Sequence, residues 1–224
     1  MLFKSDKNGN MEITHLGHSS FKIKGKSAVV VTDPYNSQMV GIKFPKTEAD
    51  VITISHNHQD HNSTEAVDGI PVVISGPGEY EVKGVKILGI SVFHDNSNGS
   101  ERGKNTVYRI NIDGVSIVHC GDLGHKFNDS QLEMLNGANI LLIPTGGFYT
   151  IDAQIACEVV SQIDPNIIIP MHYNSPNLNQ ENFGKLAGVD AFLKQMGKEG
   201  LVPQPKLVIT KDKLPEEPMV VVLE

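Results

Sequence analysis

The chain has little cysteine, no excess of positive charge and no long apolar run, and each shortage narrows what it can be. Only Cys120 and Cys157 occur in 224 residues, as expected of a chain that keeps its thiols reduced. Acidic side chains number 26 against 19 basic ones, a formal charge of -7, so there is no general field for a polyanion and a nucleic-acid substrate is disfavoured. A local basic patch stays open. No stretch reaches the length of a membrane span, and the opening segment Met1 to Lys7 lacks the apolar centre of a secretory signal, which makes a cytoplasmic location the expectation. Repeats, low-complexity tracts and Ser/Gly linkers are also missing. With 39% hydrophobic and 20% charged residues, the composition suits one folded domain over residues 1–224.

Short strand-like runs fill the first half: Met11 to His15, Ser20 to Ile23, Ala28 to Thr32, Val51 to Ser55, Val72 to Ser75 and Val85 to Phe93. Thr106 to Ile112 and Val115 to Gly121 flank Asp113-Gly114, a strong hairpin signal. Helical patterns come later. Asp129 is expected to cap a helix through Leu132 and Leu135, Asp152 one through Ile155, Ala156, Val159 and Val160, and a third covers Val189 to Met196. Apolar runs at Ile140 to Ile143, Ile167 to Ile169, Leu207 to Thr210 and Met219 to Leu223 read as further strands. Mixed strands with helices between them suggest two packed sheets covered by outer helices.

The densest chemistry follows the β-branched run Val51-Ile52-Thr53-Ile54. There, His56-x-His58-x-Asp60-His61 puts four metal-capable side chains within six residues. On extended backbone His56 and His58 share a face, and the turn that follows can swing Asp60 and His61 toward the same point. The remaining candidates end other strands: His94 after Phe93, Asp122 in His119-Cys120-Gly121-Asp122, and His172 in Pro170-Met171-His172-Tyr173. Loops at strand ends suit such a site because the sheet fixes each backbone exit.

In this order the motifs resemble those of the metallo-β-lactamase-fold hydrolases over about residues 11–175. Leu16-Gly17-His18-Ser19-Ser20-Phe21, Thr32-Asp33-Pro34, Gly76-Pro77-Gly78-Glu79-Tyr80, Arg102-Gly103-Lys104-Asn105-Thr106 and Pro144-Thr145-Gly146-Gly147-Phe148-Tyr149-Thr150 bring the chain nearest to a little-characterised branch that includes relatives of L-ascorbate-6-phosphate lactonase. The resemblance implies a four-layer α/β sandwich, αββα, with mixed sheets and the site at one edge between them. It assigns His56, His58 and His94 to one metal, Asp60, His61 and His172 to a second, and Asp122 to a position bridging both. Asp33 matches an acidic position that orients a ligand histidine. Zinc is the default ion, with manganese or iron as alternatives because no thiolate is required. Cys120 reads as a small buried thiol.

Such metals bring the pKa of bound water to about 7, making hydroxide available as a nucleophile, with Asp60 as proton acceptor. His119 and His18 are candidates for protonating the leaving group. His15 reads as a packed residue and His125 as peripheral. Arg102 or Lys104, in the loop after His94, could hold an anionic group, and Phe148 and Tyr149 could form an apolar wall. The leading expectation is hydrolysis of a small anionic ester, lactone or amide. A phosphodiesterase or nuclease and a non-catalytic metal-binding scaffold are the alternatives, and assembly with further copies stays open.

Overall fold

The computed structural model describes residues 10–224, so Met1 to Lys7, read above for a signal, lies outside the described residues. In chain order the strands are β1 (Met11–Gly17), β2 (Ser20–Lys24), β3 (Val29–Thr32), β4 (Thr47–Glu48), β5 (Val51–Ile54), β6 (Val67–Asp68), β7 (Val72–Ser75), β8 (Gly78–Val82), β9 (Val85–Phe93), β10 (Lys104–Ile112), β11 (Val115–His119), β12 (Ile140–Pro144), β13 (Ile167–Met171), β14 (Leu207–Ile209) and β15 (Met219–Val220). The helices are α1 (Ser37–Val40), α2 (Asp129–Leu135), α3 (Ala153–Ile163), α4 (Gln180–Phe183) and α5 (Val189–Gln195).

Six strands form one sheet in the order β14-β1-β2-β3-β5-β7, and seven form the other, β15-β13-β12-β11-β10-β9-β8. Both faces of the first sheet are covered at β3 and β5, as alternation along those strands shows, whereas Val73 of β7 and Val208 of β14 stay exposed. Val30 and Val51 enter the core between the sheets, while their neighbours Val31 and Ile52 join Tyr35, Val40, Leu178 and Phe183 on the outside. On the second sheet, Ala156, Val159 and Val160 of α3 and Phe192 and Leu193 of α5 close the main core. The result is the four-layer sandwich. Its layer outside the first sheet is thin, since α1 and α4 are each four residues long.

Strand direction decides where the chemistry can gather. In the first sheet β3, β5 and β7 run parallel, and β1 runs with them because β2 reverses twice between. In the second, β11, β12 and β13 are parallel, and β9 joins their direction through the antiparallel β10. Thus the carboxyl ends of β1, β3 and β5 share one edge of their sheet, as those of β9, β11 and β13 share one edge of theirs. Tyr108 of β10 stitches the sheets together there, donating its hydroxyl proton to Ile54 O at 2.8 Å while accepting from Gly76 N at 2.8 Å.

Several local expectations change. The strand β8 was not expected, because Gly78-Glu79-Tyr80-Glu81-Val82 lacks a hydrophobic run; as an edge strand it needs apolar contact only at alternate positions, and Tyr80 and Val82 supply it. The cap of α2 is Asn128, not Asp129: its side chain accepts from Gln131 N and the Gln131 side chain answers to Asn128 N. That reciprocal box satisfies two orphan donors, and Asp129 is left in the first turn as a favourable charge. Asp152 does cap α3, accepting from Ile155 N at 2.9 Å. Asp113 and Gly114 both take positive φ, 51° and 81°, which gives the primed turn that matches strand twist.

Asn128→Ala should lower stability by about 1 kcal/mol, whereas Asp129→Ala should cost only a few tenths. Chemical denaturation of both variants checks the difference, and equal losses would return the cap to Asp129.

Candidate metal centre

The seven sequence-derived candidates converge at this shared edge. Ligand-capable atoms of His56, His58 and His94 lie within 4.8 Å of one another, and so do those of His18, Asp60, His61 and His172. Asp122 lies between the groups. Its Oδ2 is 3.3 Å from His94 Nε2 and 3.2 Å from His172 Nε2, while Oδ1 is 3.3 Å from His61 Nε2.

Two backbone constraints hold Asp122 there. Asn105 donates from Nδ2 to Cys120 O at 2.8 Å and accepts from Asp122 N at 3.1 Å. Gly121 has φ +53°, and a Cβ on it would stand 2.4 Å from Asn105 Oδ1 and 2.5 Å from Ser55 Cβ. No side chain fits in that gap.

Ring orientation is set by Asp33, which is fully buried at φ +41°. Its Oδ2 accepts from His61 Nδ1 at 2.8 Å and from Ser55 Oγ at 2.6 Å, and its Oδ1 from Ser55 N at 2.8 Å. Ser55 Oγ, having given its proton to Asp33, accepts from His56 Nδ1 at 2.8 Å. One carboxylate therefore fixes the tautomers of two imidazoles, and each keeps a bare Nε2 toward the cluster.

The charge balance favours a cation. Asp33, Asp60 and Asp122 are buried, and their ion-pair partners among the described residues are histidines alone. Burial opposes ionisation of Asp122, but His172 and His61 outweigh it and hold the carboxyl well below the ordinary range. Asp60 is also held down against burial, chiefly by His61. Burial pulls His61 toward neutrality, yet Asp122 and Asp60 raise its pKa well above normal, so a positive charge is strongly favoured at this point. His56 is lowered to about 3, first by burial and then by His61. Buried atoms lacking hydrogen-bond partners include His56 Nε2, His61 Nε2, His94 Nδ1, His172 Nε2 and Asp122 Oδ1. Orphaned nitrogens and oxygens clustered beside carboxylates that only histidines offset fit one or two divalent cations.

The other candidates separate. His18 joins the Asp60 group, with Nε2 3.3 Å from Asp60 Oδ2, and burial followed by His172 lowers it to about 4. His119 does not: Nε2 donates to Ser19 O at 2.8 Å and Nδ1 accepts from Gly121 N at 3.3 Å, so both nitrogens are committed to the scaffold. His15 packs on Phe21, and His125 accepts from Phe93 N. Cys120 is a core thiol whose pKa burial pushes up. Arg102 reaches the face of Tyr149, and Lys104 is exposed at the start of β10. Residues not singled out from sequence are Ser55, whose role requires Asp33 to be folded against it, and Asp95. The Asp95 carboxylate accepts four backbone N–H bonds from its own loop, and an Asp followed by Asn, Ser and Gly is the type of local signal that could have found it.

Ser55→Ala removes the tether between Asp33 and His56. Affinity for zinc should fall by about 10- to 100-fold while the fold is retained, as measured by chelator competition and circular dichroism. Unchanged affinity would mean that His56 orientation does not depend on this hydroxyl.

Residues 12–172 match the family model described as a beta-lactamase superfamily domain. A UPF0173 metal-dependent hydrolase of Thermococcus onnurineus is 31% identical over 210 residues, covering 80% of this chain and 92% of its own. One from Thermoplasma volcanium is 32% identical over 193 residues, covering 74% and 85%. A solved structure from Thermotoga maritima, described as a candidate zinc-dependent hydrolase of the metallo-β-lactamase superfamily, aligns with a TM-score of 0.78 at 36% identity and covers 96% of this chain and 98% of that one. The lactonase likeness read from sequence has no counterpart among these named relatives. A domain match running from β1 to His172, the last of the converging histidines, carries fold and cluster together, and the chain belongs to the beta-lactamase superfamily.

Proposed function

We propose that the protein is a metal-dependent hydrolase that cleaves a small, anionic ester, lactone or amide in the cytoplasm. The observation that supports this reading above all is the pair of His/Asp groups sharing Asp122, with bare nitrogen and oxygen atoms facing one another. His56, His58 and His94 would hold one ion, Asp60, His61 and His172 another, and Asp122 would contact both. Nitrogen and carboxylate donors without thiolate make zinc the proposed metal, with manganese and iron as competing outcomes of metal analysis. Divalent ions held there would acidify water and polarise the scissile carbonyl or phosphoryl oxygen.

The protein's own groups do the rest. Asp60, kept ionised by His61 and steadied by His18 Nε2, accepts a hydrogen bond or proton from the attacking water. His18, whose pKa burial and His172 lower to about 4, is the histidine that can relay to the leaving group the proton Asp60 takes from water, since both nitrogens of His119 are occupied. The acidic balance of the chain agrees with a small-molecule substrate rather than a nucleic acid. A phosphodiester substrate is the competing outcome, and a panel of 4-nitrophenyl esters, lactones and bis(4-nitrophenyl) phosphate separates them.

Asp60→Asn should keep the fold and at least one bound metal while losing turnover by about 10²-fold or more, because the water loses its proton acceptor. Metal content by emission spectroscopy and kcat on the best ester check this. Full turnover at full metal loading would remove Asp60 from the mechanism.

A further inference from the structure

The loop after β9 is shaped by one carboxylate. Asp95 accepts from Ser97 N and Gly99 N at 2.8 Å, Glu101 N at 3.1 Å and Arg102 N at 2.8 Å. His94 N donates to Gly103 O at 3.0 Å, so the loop closes at the cluster before entering β10. From there the Arg102 guanidinium carbon lies 5.7 Å from the ring centre of Tyr149. Tyr149 belongs to the opposite side of the cluster. It follows Gly146, where a Cβ would stand 2.2 Å from His172 O, and its hydroxyl donates to Asn182 O at 2.8 Å. Arg102 thus spans from the His94 loop to the loop after β12, which packs against His172.

Beside Tyr149 stands Phe148, at φ +56° and 51% exposed, a strained and solvent-facing placement for a bulky apolar side chain. The two rings meet edge to face at 4.7 Å. Lys185 Nζ lies 4.7 Å from the Phe148 ring centre, two residues after Phe183, whose own ring packs at 4.7 Å on His18. Arg102 has a carboxylate partner only in exposed Glu101 at 3.4 Å, and Lys185 has none among the described residues. Lys104 shows no contact with either ring.

We infer that Arg102, Lys185 and the Phe148–Tyr149 pair form the substrate-anchoring site at the mouth of the cluster, taking a carboxylate or phosphate attached to an apolar body. This rests on the hydrolase reading above for the position of the scissile bond. A guanidinium fork pairs with either anion, the ammonium adds a second charge, and the exposed ring accepts the apolar part. Asp95 acts as a positioning residue, because the loop that carries Arg102 is folded around it.

The test uses full-length protein loaded with zinc and two matched esters, mono-4-nitrophenyl glutarate and neutral 4-nitrophenyl pentanoate. Calorimetric titrations with glutarate and with inorganic phosphate accompany the kinetics. Arg102→Ala and Lys185→Ala should each raise KM for the anionic ester by about tenfold and leave the neutral one within about twofold, with zinc content intact. Arg102→Lys should restore part of the loss. Weakened glutarate binding identifies a carboxylate anchor, weakened phosphate binding a phosphate anchor, and either supports the inference. Equal responses of the two esters, or unchanged binding of both anions, overturn it. If wild-type protein cleaves neither ester while the variants still lose anion binding, the ester form of the hydrolase reading fails and the anchor stands.

Discussion

Asp33 is buried with no lysine or arginine paired to it among the described residues, and its three accepted hydrogen bonds set the geometry of the centre. If Asp33 were neutral, it would no longer dictate which nitrogen of His61 carries the proton. Through Ser55 the same dependence passes to His56. A buried, half-satisfied carboxylate would cost several kcal/mol, so the network works as a whole or not at all. Its backbone is part of the arrangement: the left-handed turn at Asp33 is pinned by its N–H to Thr53 O at 2.9 Å, directly beside the strand that delivers His56.

The two sheets contribute unequally. Asp33, His56, Asp60 and His61 follow β3 and β5 of the first sheet, whereas His94, Asp122 and His172 follow β9, β11 and β13 of the second. The centre therefore exists only when the sheets are docked. Tyr108 and Asn105, both on β10, tie that docking to the site through hydrogen bonds at 2.8 Å to Ile54 O and Cys120 O. Packing in the main core and geometry at the cluster are one problem, and a core substitution that shifts one sheet by a fraction of an ångström is felt at Asp122.

Much of this was legible in sequence because the signals were local. The run from His56 to His61 carries its spacing within one loop, and the strands that end at His94, Asp122 and His172 have plain apolar patterns. Pairings over long sequence distance were not legible. Ser55 is unremarkable until Asp33, 22 residues away, folds against it, and Lys185 has no meaning until it is beside Phe148. His119 looked available because its strand end resembled the others, yet it turns toward Ser19 O, a partner 100 residues distant. Strand β8 escaped for a different reason: an edge strand can be built from glycine and glutamate as long as every second side chain finds the core.

The primed turn at Asp113-Gly114 lies at the far end of β10 from Lys104 and His94, as does the Lys83-Gly84 turn, where both residues again have positive φ. Both of these tight reversals lie at that pole, while the longer loops after β9, β12 and β13 lie at the other. Lineages descended from such a scaffold can therefore rewrite one pole, altering what is accepted for cleavage, without renegotiating strand register at the other. The same division offers a practical handle: a tether to a surface or a fused reporter belongs at the turn pole, where it leaves the mouth of the cluster open.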